Sequence, residues 1–427
     1  MVNLLPQQDR ILEMRELRIP NLQLRDGIPR VALLIETSRS FGRGILEGVI
    51  QYTHLYTPWH LFHLPGDMIQ TLPDMKEWGG NGIIARITND LIERTILATG
   101  LPVVGVTLTD EQRRLSSPCA RFSEVRADSY SAGKMAADYF LEKRFENFAF
   151  VGEIRHENWS EQRGQGFADH LAESGKTCFR YTAVTKSHKQ WGKEVDRLGK
   201  WLNMLPKPIA LLAALDIRGR QVISVCGECG IRVPDEVAVL GIDNDELICG
   251  TCQPPMSSIH LDARQGGFQA AEMLDAMMTG KMKTPKCFYV PATRVVERQS
   301  TDILMVSDKI VVEAVRYIIA NAIYSINVAN VTEHMLLSRK TLENHFKRTL
   351  HCTVLDVINR ERIKRIKLLL TETNMSIQEI ADKCHFEDAS NLCKFFRREC
   401  RMTMKTYRRQ WQQQRYEEKN SNAPFVE

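Results

Sequence analysis

Residues 328–348 read VANVTEHMLLSRKTLENHFKR, and residues 376–398 read SIQEIADKCHFEDASNLCKFFRR. In the first stretch apolar residues recur at helical spacing from Val328 to Met335, a short turn falls at Leu336 and Leu337, and Ser338 is placed to cap a basic helix running through Arg348. In the second, Ser376 caps one helix, a turn falls at His385 and Phe386, and Asp388 caps another. Two short helices joined by a tight turn, the second one basic, is the geometry that enters a DNA major groove. The intervening segment, VLDVINRERIKRIKLLLTE, contains neither Pro nor Gly. As one helix it spans roughly 28 Å, close to the ~34 Å between successive major-groove faces. One chain can therefore lay both units on one side of a duplex.

The side chains expected to face the groove are Arg339, Lys340, Thr341 and Asn344 in the first unit and Ala389, Asn391 and Lys394 in the second. Arg339 can bond two acceptors on guanine, and Asn391 suits adenine. Lys347, Arg348, Arg397 and Arg398 are expected to hold phosphates and so position the protein without reading sequence. A solvated surface role is the alternative for each of them taken singly. Charge supports the nucleic-acid reading: Met305 to Arg415 holds 20 Lys and Arg against 12 Asp and Glu, while the whole chain carries only +5.

The set Leu337-Ser338, Leu342, Phe346, Arg362, Leu369-Leu370, Ile377, Ile380-Ala381, Phe386, Asp388, Ser390, Phe396 and Tyr407-Arg408 resembles the AraC family of regulators. The resemblance implies a DNA-binding domain of two helix-turn-helix units joined by a long helix. The chain departs from that pattern at His385 and Arg401, where glycines are usual, at Met404, where Pro is usual, and at Ile366, where a small residue is common.

Working upstream, residues from Arg30 to about Val296 alternate apolar runs (VALLIE, WHLFHL, GIIAR, PVVGV, NFAFVG, PIALLAAL, EVAVLGID) with amphipathic stretches such as GRGILEGVIQYT and DARQGGFQAAEMLDAMMTG. Strand and helix in regular alternation predict parallel sheets covered by helices, and the length allows two lobes. The fold class expected is thus a two-lobed α/β core of the periplasmic-binding-protein kind, followed by an all-α domain with two helix-turn-helix units. Expected boundaries are an N-terminal extension at 1–28, with one possible helix around Ile11 to Leu17, a core at 29–300, a linker at 301–308 with Ser307 or Asp308 as helix cap, the DNA-binding domain at 309–411 and a polar tail at 412–427.

Asp128 with Gly133, Arg163 with Gly166-Phe167, Asp216 after ALLAAL, the run VPDEVAVLGIDND, Pro254-Pro255, and Asp262 with Gly267 and Ala271 make the core resemble the lac and gal repressor family. That resemblance implies a sugar effector with Arg163, Asp216 and Asp243 as the leading contacts, and the order of such a core ahead of an AraC-type domain implies xylose or a related sugar. Ser38, Arg39, Phe41, Arg86 and Trp159 are supporting candidates, because they follow predicted strands or lie near the expected cleft. Asp216 begins a helix and could instead cap it, and Asp128 reads as a helix cap or lobe-joining residue. Arg39 and Arg86 are cations that a uronate would use and a neutral pentose would not require.

Partners expected are double-stranded DNA carrying operator half-sites, the sugar, a second copy of the chain in a homodimer, and RNA polymerase if the protein activates; repression is the alternative. No 18-residue apolar run and no signal-peptide pattern is present, so a cytoplasmic protein without membrane contact is expected. Eleven cysteines with no secretion signal read as reduced thiols. Cys226, Cys229, Cys249 and Cys252 form two CxxC pairs 19 residues apart, the spacing of a zinc ribbon. Val222, Val225, Cys226 and Cys229 share one helical face, however, which favours buried thiols over a zinc- or redox-responsive site. GxGxxG after a strand, GxxxxGK[ST], GxSxG and HExxH are all missing, so no enzyme and no cofactor is expected.

Overall fold

The apolar runs become strands of two sheets. The computed structural model describes residues 27–66, 71–154, 157–183, 191–302, 308–322, 324, 326–373 and 375–410. The helix expected around Ile11 to Leu17, the tail at 412–427 and positions 303–307 of the linker fall outside these residues. The chain divides into two units, Met1–Ile303 and Leu304–Glu427.

In the first unit the strands are β1 (Arg30–Leu34), β2 (His60–His63), β3 (Gly82–Ala85), β4 (Val103–Val106), β5 (Ser123–Ala127), β6 (Phe148–Val151), β7 (Cys178–Tyr181), β8 (Ile209–Ala213), β9 (Val237–Ile242), β10 (Ser257–Leu261), β11 (Cys287–Val290) and β12 (Ala292–Val296). They form two six-stranded sheets, ordered β11-β5-β4-β3-β1-β2 and β12-β10-β9-β8-β6-β7. The first sheet is parallel throughout, as expected. The second is not, because β12 runs antiparallel to β10. β12 follows β11 after a single residue, Pro291, which leaves no room for a crossover helix.

The main helices of this unit are α1 (Ser40–Leu55), α2 (Asp90–Thr99), α3 (Ser129–Glu142), α4 (Asn158–Glu173), α5 (Trp191–Met204), α6 (Asp216–Glu228) and α7 (Ala263–Met278). In each lobe one helix pair packs closely: α1 on α7 in the first, α3 on α4 in the second. Glycine permits the approach, since a Cβ on Gly48 would lie 2.0 Å from the Arg264 carbonyl oxygen and one on Gly166 2.1 Å from that of Tyr130.

The chain passes between lobes three times. After β5 it crosses at Asp128, whose N–H donates to Val290 O (2.9 Å) and whose carboxylate caps α3 by accepting from Ser131 N (3.1 Å). After β10 it returns at Asp262, which repeats the arrangement with Pro291 O (3.0 Å) and Gln265 N (3.1 Å). Asp128 is therefore both a cap and a lobe-joining residue. The third crossing is Pro291 itself.

The second unit is all helical among its described residues: α8 (Lys309–Asn321), α9 (Val328–Met335), α10 (Arg339–Leu350), α11 (Val354–Glu372), α12 (Ile377–Lys383) and α13 (Ala389–Cys400), with 404–410 helical beyond. It has two cores. Val311, Ile318, Val331, Leu342 and Phe346 build the first, and Ile380, Leu392, Phe396 and Met404 belong to the second. The long α11 serves both, with Val354, Val357 and Ile358 in one and Ile363, Ile366, Leu369 and Leu370 in the other. Ile366 is fully buried, so the larger side chain is accommodated within the second core.

Candidate effector cleft and DNA-reading surface

The C-terminal ends of β1, β3, β8 and β9 lead directly into Glu36 to Phe41, Arg86, Asp216 and Asp243, which is where parallel sheets place their ligands. Arg163, on α4, is 3% exposed. Its guanidinium lies over the Trp159 ring at 4.9 Å, donates to Asp243 Oδ1 at 3.0 Å and also donates to the Ala214 carbonyl. Its Nε is buried with no hydrogen-bond partner among the described residues. Burial pushes the Asp243 carboxyl above its ordinary range, with Arg163, Arg39 and Arg86 pulling against it.

Asp216 sits beneath this pair, 2% exposed. It is not the helix cap, a position held by Leu215. Its Oδ1 accepts from Ser258 Oγ (2.5 Å) and its Oδ2 from Asp245 N (2.6 Å). Burial, and then the charge of Asp243, raise its pKa well above the usual carboxylate range. Both oxygens are thus engaged in holding the loop that carries Asp243.

Opposite, on the first lobe, Arg86 Nε donates to Glu36 Oε2 at 2.9 Å and its guanidinium lies 5.7 Å from the centre of the Phe41 ring. Arg39 precedes α1, close enough to Asp243 to act on its charge. Ser38 is exposed, and its backbone N–H donates to Gly66 O at 3.2 Å. The supporting candidates therefore lie on both walls of one cleft: Arg39, Phe41 and Arg86 on one and Trp159 on the other, with Ser38 at the rim.

Three contacts that sequence did not suggest join the walls. Arg43 Nη2 pairs with Asp245 Oδ2 at 2.7 Å, Ser40 Oγ donates to the Asp243 carbonyl at 3.3 Å, and Asn158 Nδ2 donates to Asp110 Oδ1 at 2.6 Å. Arg43 lies one turn beyond Arg39, on the helix that borders the cleft. That periodicity was the available signal.

Among the CxxC residues, Cys226, Cys249 and Cys252 are buried, but Cys229 is exposed at the end of α6. It leaves the shared face because the helix stops there. Burial raises the thiol pKa of Cys226 to about 12 and of Cys252 to about 11, which suppresses the thiolate that zinc requires. Among the described residues no group of three or more His, Cys, Asp or Glu side chains is gathered for a metal.

In the second unit Ser338 caps α10 through Thr341 N (3.1 Å), Ser376 caps α12 through Glu379 N (3.2 Å) and Asp388 caps α13 through Asn391 N (2.7 Å). With Leu342 and Phe346 turned inward, Arg339, Lys340, Thr341, Asn344, Lys347 and Arg348 are all exposed. On α13, Lys394, Arg397 and Arg398 are exposed, while Ala389 and Asn391 are half-buried. Four of these side chains are already engaged: Thr341 with Ser338 (2.8 Å), Arg348 with Asp308 (3.1 Å), Arg398 with Glu399 (2.9 Å) and Asn391 with Glu387 (3.1 Å). The turn positions His385 and Arg401, usually glycine, keep a left-handed backbone at φ 54° and 55°, matching Leu336 (52°) and His351 (55°) at the corresponding points of the first unit.

Known proteins agree with both halves. Residues 30–118 match the XylR N-terminal domain, residues 137–301 a periplasmic binding protein-like domain and residues 331–410 a helix-turn-helix domain. The chain is 30% identical over 382 residues to the xylose operon regulatory protein of Escherichia coli K12, covering 89% of this chain and 96% of that one. It is 29% identical to the protein of the same name from Haemophilus influenzae, covering 89% and 98%. A solved structure of the xylose-binding transcription activator xylR superposes with a TM-score of 0.74 at 28% identity, over 89% of this chain and 97% of that one. The chain belongs to the family of xylose operon regulatory proteins, and is a DNA-binding transcription regulator that joins a sugar-binding core to an AraC-type helix-turn-helix domain.

Proposed function

We propose that this regulator responds to D-xylose, and that as a cytoplasmic homodimer it activates transcription by presenting its helix-turn-helix units to repeated half-sites and to RNA polymerase. The observation that carries the sugar reading is the Arg163–Asp243 pair, buried between the lobes with Arg163 Nε unpartnered. Neighbouring sugar hydroxyls can donate to the carboxylate and accept from the guanidinium at once. Phe41 and Trp159 supply apolar surface for the C–H faces of the ring. Asp216 acts from below, holding the loop rather than touching sugar.

Charge favours a neutral ligand. Arg43, Arg86 and Arg163 each have a carboxylate of their own in Asp245, Glu36 and Asp243, so a uronate would find only Arg39 without an ion pair among the described residues. Known relatives point the same way, one of them being described as xylose-binding. Sugar held by both walls stabilises the closed cleft, and the equilibrium moves only by its preference for that form.

On DNA, Arg339, Lys340, Thr341 and Asn344 are assigned to base edges with Ala389, Asn391 and Lys394, and Lys347, Arg348, Arg397 and Arg398 to phosphates. The test is a thermal-shift panel of D-xylose, other pentoses, hexoses and uronates at roughly 10 mM, where a true effector raises stability by RT ln(1 + [L]/Kd). A shift with D-xylose alone is expected. A shift with uronates alone would sink the neutral-sugar reading.

A further inference from the structure

Asp243 and Asn244 are consecutive non-glycine residues with φ of 108° and 48°. Such a backbone persists only where its surroundings hold it, and it gathers at sites that switch. Here three amides are held in sequence: Asp243 N by Ile259 O (2.9 Å), Asn244 N by Ser258 Oγ (3.0 Å) and Asp245 N by Asp216 Oδ2 (2.6 Å).

On its far side the loop meets the end of the core. Asn244 Oδ1 accepts from Arg298 Nη2 at 2.9 Å, while Arg298 Nη1 donates to the Met256 carbonyl at 3.0 Å. Arg298 opens the last described stretch before the linker. Ser257 Oγ accepts from Arg298 N (2.7 Å) and lies 2.7 Å from Thr301 Oγ1, which lies 2.7 Å from the Tyr139 hydroxyl. Ser300 Oγ accepts from Ser257 N (2.8 Å) and donates to Val239 O (2.5 Å). Ser257 and Ser258 are adjacent on β10, so their side chains leave opposite faces of the strand. Ser258 holds Asp216 and the 243–245 loop, and Ser257 holds residues 298–301. Arg298, Asn244, Ser257 and Thr301 are polar and belong to none of the hydrophobic cores.

We propose that Arg298 is a positioning residue that carries the state of the 243–245 loop to residues 298–301, where the chain leaves the sugar-binding core for the DNA-binding domain. The inference rests on the reading that sugar is held at Asp243. Sugar engaging that carboxylate fixes the loop in its left-handed form and keeps Asn244 Oδ1 on Arg298. Without sugar the loop relaxes, Asn244 releases Arg298, and residues 298–301 lose their tie to the 243–245 loop while keeping those to Ser257 and Val239.

The test uses the full chain, D-xylose, and a duplex that the wild-type protein selects from a random-sequence pool. Three variants are compared: Asn244→Gly, which suits the positive φ but removes the acceptor, Arg298→Ala, and Asn244→Asp, which keeps an acceptor for Arg298. Expected is at least a fivefold fall in the ratio of DNA affinities with and without D-xylose for the first two, while Asn244→Asp stays within about twofold of wild type and the D-xylose affinity of DNA-free Asn244→Gly stays within about threefold. Should Arg298→Ala fail to fold, Asn244→Gly alone decides. Wild-type ratios in the folded variants overturn the relay and leave the sugar reading standing. A wild-type protein whose melting temperature no sugar moves overturns both.

Discussion

Glu36 lies against Arg86, its Oε2 accepting from the guanidinium at 2.9 Å with only 2% of its side chain exposed. One of the two cations that the sequence offers to an acidic sugar, Arg86, already has its counter-charge. Glu36→Gln keeps the hydrogen-bond acceptor and frees the charge, and is expected to move selectivity toward uronates by roughly tenfold relative to D-xylose, the scale of one partly screened charge interaction. Titration calorimetry with D-xylose and D-glucuronate reads this directly; an unchanged preference shows that Arg86 does not face the ligand.

Arg163→Ala removes one partner of a buried pair and leaves Asp243 uncompensated. Stability is expected to fall by about 3–5 kcal/mol, and the sugar-induced thermal shift to vanish. Arg163→Lys separates the two effects, since it keeps the charge but loses the planar fork, so a variant that folds yet shows no D-xylose shift is the outcome expected.

At the DNA surface, Arg339→Ala and Lys347→Ala are expected to fail differently. Loss of a base-reading arginine costs about 1–3 kcal/mol and relaxes preference at one position, while loss of a phosphate contact weakens all sequences alike and lowers the salt slope by about 1. Binding measured over a salt series on matched and mismatched duplexes distinguishes them. Identical behaviour of the two variants would refute the assignment.

Asp308 receives hydrogen bonds from His345 Nδ1 (2.6 Å), Arg348 Nη2 (3.1 Å), Thr349 Oγ1 (3.4 Å) and Ile310 N (3.1 Å). Burial alone would push its pKa up, but the His345 and Arg348 bonds outweigh it and hold the carboxyl at about 2. A depressed carboxylate contributes its stability above the unfolded value, about 3.9, and loses it as pH falls toward the folded one. The gap in thermal stability between wild type and Asp308→Asn is therefore expected to be full above about pH 4 and to close toward pH 2. A gap independent of pH would assign Asp308 a purely capping role.

Arg401 holds φ 55° on an exposed surface, a conformation that costs a side-chain-bearing residue about 1–2 kcal/mol. Arg401→Gly is expected to raise the stability of the second helix-turn-helix unit by roughly 1 kcal/mol, less the entropy glycine returns to the unfolded chain. Chemical denaturation checks the sign.

The recognition helices were legible because their caps and apolar spacing are local: Ser338, Ser376 and Asp388 cap where the sequence places them. The strands were legible where both faces are covered. β7, β11 and β12 were not, since as sheet edges they need no unbroken apolar run, whereas the fourth edge, β2, keeps one in WHLFHL. β5 and β10 were hidden for another reason: each buries polar groups that serve distant partners, Glu124 bonding Leu108 N (2.9 Å) and Ser258 bonding Asp216. The same holds within the cleft. Arg163 and Asp243 follow helix and strand signals and Arg43 a helical spacing from Arg39, whereas Glu36 and Asp245 acquire meaning only through partners 50 and 202 positions away.

The three crossings at Asp128, Asp262 and Pro291 mean that neither lobe is a continuous piece of chain. On a ribosome the first sheet cannot acquire its second edge strand, β11, until Val290 has been made, so sensing becomes possible only when nearly the whole core has been synthesised. The helix-turn-helix units come afterwards as one uninterrupted segment. A genetic engineer could accordingly exchange the reader by a single junction beyond Thr301, but exchanging one half of the sensor would require three.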